Sequence, residues 1–150
     1  MSASAISDWK QHLVEDDEGI RRILKNTRRV AVLGIKTRES AQPAYYVPEY
    51  TQRAGLDVVP VPVYYPDVTE ILGQPVYRSV AAIPGPVDMV NVFRRPKDIP
   101  QHLDDIIAKR PKSVWFQAGI RNEEAAERLA REGIDVVQDR CLMVELRHVK

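Results

Sequence analysis

Val30-Ala31-Val32-Leu33-Gly34-Ile35 is an unbroken apolar run that closes on a glycine and its neighbour. Apolar and polar residues do not alternate in it, so neither face of such a strand meets water, as in a parallel sheet covered on both sides. Similar runs follow at Val58 to Val63, Val87 to Phe93, Ser113 to Ala118 and Ile134 to Val137. Helix-like segments stand between them, from about Pro43 to Ala54, Pro96 to Lys109 and Asn122 to Glu132. Strands alternating with helices make right-handed βαβ units. The expected fold is α/β: a three-layer, Rossmann-like, doubly wound parallel sheet of five strands in the order 3-2-1-4-5.

Around this repeat the chain is less regular. Ahead of it, Ile6, Trp9, Leu13, Ile20, Ile23 and Leu24 fall close to helical spacing, so residues 1–27 read as a helical lead-in. Ser7 or Asp8 is placed to cap its start, and Gly19 to divide it into two short helices. From Tyr64 to Ala82, loops and short turns are expected, and Pro84-Gly85-Pro86 marks a tight connection. No internal repeat or linker interrupts residues 1–150, which read as one domain.

Composition excludes several classes of function. A net charge of +1 gives no whole-molecule field to hold nucleic acid or an anionic membrane. No apolar stretch approaches the roughly 18 to 20 residues of a membrane span. Met1 to Asp17 is polar and acidic, without the basic and apolar regions of a secretory signal, so a cytoplasmic protein is expected. Cys141 is the sole cysteine, which rules out an internal disulfide framework.

A ligand of an open parallel sheet sits beyond the carboxyl ends of its strands, where strand order reverses. That places it between the loops after Ile35 and after Phe93. The first loop, Gly34-Ile35-Lys36-Thr37-Arg38-Glu39-Ser40, combines a glycine with cations and hydroxyls suited to phosphate; the plain alternative is a solvated basic loop. The second, Phe93-Arg94-Arg95-Pro96, sets two arginines at a strand end, for phosphates or for carboxylates such as Asp88 or Asp98. Tyr64 and Tyr65 lie where an adenine would stack, or where a loop packs. A conventional NAD site is not expected. The second and third glycines of its fingerprint are missing, and the second strand ends Pro60-Val61-Pro62-Val63-Tyr64 without a carboxylate.

In this order, the landmarks Val30–Gly34, Gly55–Val61, Ile71–Gly73, Val87–Pro96, Val114–Ile120, Asn122–Ala126 and Asp139-Arg140-Cys141 with Glu145 form a specific set. From about Ile23 to Arg147 the chain resembles the small stand-alone CoA-binding domain proteins, which are similar to the nucleotide-binding domain of the succinyl-CoA ligase α subunit. The resemblance implies coenzyme A or an acyl-CoA as ligand. The loop Gly34, Ile35, Lys36, Thr37, Arg38 and Ser40 would meet its phosphates, and Pro60, Val61 and Tyr64 its adenosine side. Phe93, Arg94, Arg95 and Pro96 would line the pantetheine path, with Gly119 in the turn closing the far wall. Against the family pattern, Lys36 and Ala44 replace serines, Pro62-Val63 replaces Asn-Pro, Tyr46 stands at a small-residue place, and Pro48 fits a helix only in its first turn.

Catalysis needs a nucleophile, base or metal in workable geometry. His12, His102 and His148 are expected on helix faces or the tail, away from the crevice, and Cys141 reads as a small packed residue or a thiol next to Arg140. No catalytic residue and no metal ligand is assigned. The expected function is non-catalytic CoA binding. The alternatives are a partner-dependent subunit of a CoA ligase or transferase, a degenerate pocket serving protein interaction, and, more weakly, a redox module binding NAD(P). A homodimer and an unidentified protein partner stay open.

Overall fold

The computed structural model describes residues 8–149. Ile6 and Ser7 lie outside the described residues. The five strands are β1 (Arg29–Leu33), β2 (Asp57–Val61), β3 (Met89–Val92), β4 (Ser113–Phe116) and β5 (Asp135–Val137), and all their pairings are parallel. Their helices are α1 (Asp17–Lys25), α2 (Pro43–Arg53), α3 (Leu103–Lys109), α4 (Glu123–Arg131) and α5 (Leu142–His148). None is long and apolar enough to cross a membrane.

Residue parity along each strand sorts the core into two layers. Ala31, Leu33, Val90, Val92 and Phe116 pack with Ile99, Ile106 and Leu129 on one face. Val30, Val32, Met89 and Trp115 pack with Ile20, Tyr45 and Leu142 on the other. The result is the expected three-layer, Rossmann-like α/β fold.

The strand order differs from 3-2-1-4-5. Counted along the chain, the sheet runs 2-1-3-4-5: β1 pairs with both β2 and β3, so β3 lies inside the sheet. The connection from β2 to β3 explains this. Its Val80 and Ile83 pack on the face opposite to Tyr45 and Val47 of α2. A right-handed crossover on the opposite face must travel in the opposite direction, so the chain passes β1 and lays β3 on its far side. Within that connection, Glu70–Ile71 and Gln74–Pro75 form a small antiparallel ladder.

Two local expectations are also corrected. Gly19 does not divide the lead-in; it lies in the first turn of α1, its N–H 3.4 Å from the capping Asp16 carboxylate. A Cβ there would meet Val14 at 2.6 Å, so the glycine is required for close packing. The break falls earlier, where Leu13 bridges in parallel to Val136 and the Val14 N–H donates to the Val136 carbonyl at 2.9 Å. Pro48 does not sit in the first turn of α2 but inside the helix, and it is buried. The carbonyl it leaves without a helical donor, that of Ala44, accepts the Lys36 N–H at 3.1 Å.

Candidate functional site

The observed strand order puts the reversal between β1 and β3, so the crevice lies between the two loops singled out from the sequence. Those loops touch at Gly34. Its φ is +88°, and a Cβ on it would stand 2.4 Å from the Phe93 carbonyl oxygen and 3.4 Å from Arg94 Cδ. The Gly34 N–H donates to the Val61 carbonyl at 2.8 Å, and the Phe93 N–H to that of Leu33 at 2.9 Å. Glycine is thus needed here for the approach of β3 and of the Arg94 side chain.

Arg94 runs over this contact. Its Nε donates to His102 Nε2 at 3.2 Å, an Nη1 hydrogen bond of 3.5 Å reaches the Tyr64 hydroxyl, and the guanidinium lies 5.8 Å from the Tyr64 ring centroid. Lys36 Nζ donates to Gln42 Oε1 at 2.6 Å, and Arg38 Nε to the Tyr45 hydroxyl at 3.4 Å. Hydrogen bonding to the Tyr45 hydroxyl, with a smaller contribution from the charge of Glu49, raises the Arg38 pKa. All three cations are held in place by uncharged side chains, and none makes an ion pair within the described residues. An incoming anion would not have to displace a carboxylate from any of them. The Glu39 carboxyl is held below the usual carboxylate range by its own N–H and by the Thr37 hydroxyl, so the loop's donors already favour negative charge.

Other expected site residues serve the framework. Ile35, Pro60 and Val61 are buried, and the Pro60 carbonyl accepts the Tyr77 N–H at 3.0 Å. Ser40 Oγ accepts the Gln42 N–H at 3.3 Å. Phe93 is half-buried against the core. Arg95 faces outward and pairs with Asp98 at 2.9 Å, which holds the Asp98 carboxyl low. Pro96 is exposed and its carbonyl accepts from Asn122. Gly119, exposed with φ +85°, donates its N–H to Asp139 at 2.7 Å. Asp88 is at the amino edge, far from either arginine's loop along β3. There it accepts the Arg28 and Arg29 N–H groups, each at 2.9 Å.

Thr37 and Arg38 also border an open groove of about 570 Å³ between α2 and the turn at Leu72-Gly73. Arg38 and Arg53 face Glu39, Glu49 and Glu70 there, a charge balance that opposes polyphosphate. The crevice, by contrast, holds Lys36 and Arg94 on neutral partners. The sequence did not reveal that His102, Gln42 and Tyr45 position its cations. Gln42 and Tyr45 flank the start of α2 and His102 the start of α3, so a count of residues to each helix end was the signal available. Burial and then the charge of Arg94 push the His102 pKa below its ordinary value, with Asp105 and Asp98 opposing.

Comparison with known proteins agrees with this architecture. The CoA binding domain family matches residues 28–147. The uncharacterised protein YneT of Bacillus subtilis strain 168 is 34% identical over 125 residues, covering 83% of this chain and 90% of YneT. A solved Thermus thermophilus structure is 38% identical with a TM-score of 0.82, over 91% of this chain and all (100%) of that one. A hypothetical protein from Pyrococcus horikoshii OT3 is 33% identical with a TM-score of 0.81, over 90% and 92% of the two chains. Part of an acetyl-coenzyme A synthetase from Ca. Korarchaeum cryptofilum shares the fold at 21% identity and a TM-score of 0.63, over 75% of this chain and 26% of the synthetase. Across nearly its whole sheet and both helical layers, then, this chain belongs to the CoA-binding domain family.

Proposed function

We propose that the protein binds coenzyme A or an acyl-CoA in the crevice between the loops after β1 and β3, as a binding module without chemistry of its own. The observation that carries this reading is Arg94, whose side chain passes over Gly34 at the strand reversal and whose guanidinium is held by the neutral side chains His102 and Tyr64. With Lys36 and Arg38 it supplies the donors a pyrophosphate or a ribose phosphate takes up. Tyr64, 58% exposed, offers a ring face to the adenine. Tyr46 is 43% exposed, so neither tyrosine is folded in as a plug, which weighs against a closed pocket.

Thermal unfolding of protein purified without added ligand tests this, with CoA, acetyl-CoA, NAD, NADP and ATP compared. A ligand at a hundredfold excess over its Kd stabilises the native state by about 2.7 kcal/mol. For a chain of this size that moves the midpoint by roughly 5 to 10 °C. A shift with CoA or its thioesters and not with the dinucleotides is the expected result. Flat curves for both CoA and acetyl-CoA overturn the reading. CoA-dependent turnover that appears only with a stoichiometric partner would replace it by a ligase or transferase subunit.

A further inference from the structure

Arg94 is held in the crevice by a bond that a proton can take away. Its Nε donates to His102 Nε2 at 3.2 Å, so that nitrogen presents a lone pair and the proton of the neutral ring sits on Nδ1. The same lone pair is where a second proton would bind. The Arg94 Nε–H and that proton therefore compete for one atom. While the bond stands the imidazole is neutral; once protonated, Nε2 is a donor and faces a guanidinium of like charge.

The charged groups facing His102 are Arg94 from the loop after β3, Asp98 from the turn before it, and Asp105 from α3. Both carboxylates are engaged elsewhere. Asp98 pairs with Arg95 at 2.9 Å, and Asp105 accepts the Val80 and Ala81 N–H groups of the β2–β3 connection at 2.7 and 2.9 Å. From the same connection Tyr64 meets Arg94 with an uncharged hydroxyl. Burial, and after it the charge of Arg94, thus keep the second proton off His102 in the protein alone.

A phosphate on Arg94 shifts this competition twice over. Its oxygens are stronger acceptors for Nε–H than a neutral imidazole, which releases the lone pair. Its charge offsets that of the guanidinium, so an imidazolium alongside is no longer repelled and can donate Nε2–H to the same phosphate.

We propose that anion binding in the crevice is coupled to uptake of a proton at His102 Nε2, so that the site tightens as pH falls below neutral. The coupling rests on the reading of the crevice as the CoA site. No covalent bond between heavy atoms changes: a solvent proton moves to Nε2, and the Arg94 Nε–H exchanges the imidazole for a phosphate oxygen. Coupling is reciprocal, so a ligand that favours the protonated ring binds more tightly where the ring is protonated.

The test is isothermal titration of the full chain with CoA at about pH 7.5 and about pH 5.5, on either side of the ordinary imidazole pKa. The same titrations are made on His102→Gln, whose side-chain oxygen can still accept from Arg94 but does not titrate. The 3′-phosphate of CoA titrates in this range as well, but with both proteins, so it cancels in the comparison. The wild-type Kd should fall with pH by about fivefold or more beyond any change in the variant, the lower end of typical coupling between two sites. An equal change in both proteins overturns the coupling and leaves the CoA reading standing. No binding of CoA to the wild type at either pH overturns both. Imidazole NMR of the wild-type chain, with and without CoA, decides the matter even where the variant folds poorly. The His102 titration midpoint should rise on binding, and a midpoint that stays or falls overturns the coupling.

Discussion

The Lys36 N–H donates to the Ala44 carbonyl across 3.1 Å, and that carbonyl is open to it because Pro48, four residues on, has no N–H. A proline in a helix interior ordinarily costs about 3 kcal/mol, in part through the bond it removes. Here the orphaned carbonyl ties the loop after β1 to α2, so the loop that faces the crevice is anchored by a helix defect. In Pro48→Ala the new N–H competes for Ala44. Hydrogen exchange at Lys36 should quicken while global stability moves by less than about 1 kcal/mol, the regained helical bond being offset by lost apolar contact. Unchanged protection at Lys36 would show that the loop is held by something else.

Arg94 and Arg95 are neighbours with different tasks. Arg95 is an exposed partner of Asp98, and surface pairs of this kind contribute about 0 to 1 kcal/mol. Arg94 has only neutral partners and lies over Gly34. Isothermal titration with CoA should show Arg94→Gln raising Kd by about tenfold or more, the value of a charge-assisted bond. Arg95→Gln should leave Kd within about twofold. Equal losses in both would mean that the ligand meets the whole loop rather than one guanidinium.

His102 must be neutral for its Nε2 to accept from Arg94. Burial, and second Arg94, hold its pKa below the ordinary value of about 6.5. The unfolded chain therefore binds this proton at a higher pH than the folded chain does. The contribution to stability is complete above about pH 6.5 and is lost as pH falls through the folded value. Urea unfolding followed from neutral to mildly acidic pH should show this decline, and His102→Gln should flatten it. A folded-state imidazole titrating above 6.5 by NMR would contradict the assignment.

Gly34→Ala should be among the most damaging single changes in the molecule. A side chain at φ +88° is strained by about 1 to 2 kcal/mol, and its Cβ would stand 2.4 Å from the Phe93 carbonyl. Relieving that clash separates β1 from β3 at their ends. Denaturant unfolding should report a loss of about 3 kcal/mol. A loss under about 1 kcal/mol would mean that the two loops can part without disturbing the sheet.

Strand composition carried most of the fold. Runs such as Val30 to Ile35 and Val87 to Phe93 are apolar on both faces, a property local enough to read directly. Strand order was not local: it depends on which face Val80 and Ile83 cover, and nothing within the irregular stretch around them announces that. Helix α5 was overlooked because Asp139, Arg140 and Glu145 dominate that stretch with polar side chains, while Leu142 and Leu146, one turn apart, bury its inner side. At the site, residue types at strand ends located Arg94 and Lys36. Their partners Gln42 and His102 come from helix starts, and only the packing of α2 and α3 onto the sheet brings them near.

The parallel bridge from Leu13 to Val136 bears on the border of the sheet. β5 is the last strand of the sheet, and an uncovered last strand is a template for another chain's backbone. Leu13 and Val14 occupy part of that template, and the 2.7 Å hydrogen bond between His12 and Asp135 pins them there. The lead-in is therefore a cover for the β5 border: a chain shortened to begin at Asp16 would keep its crevice but leave that strand's backbone open to pairing.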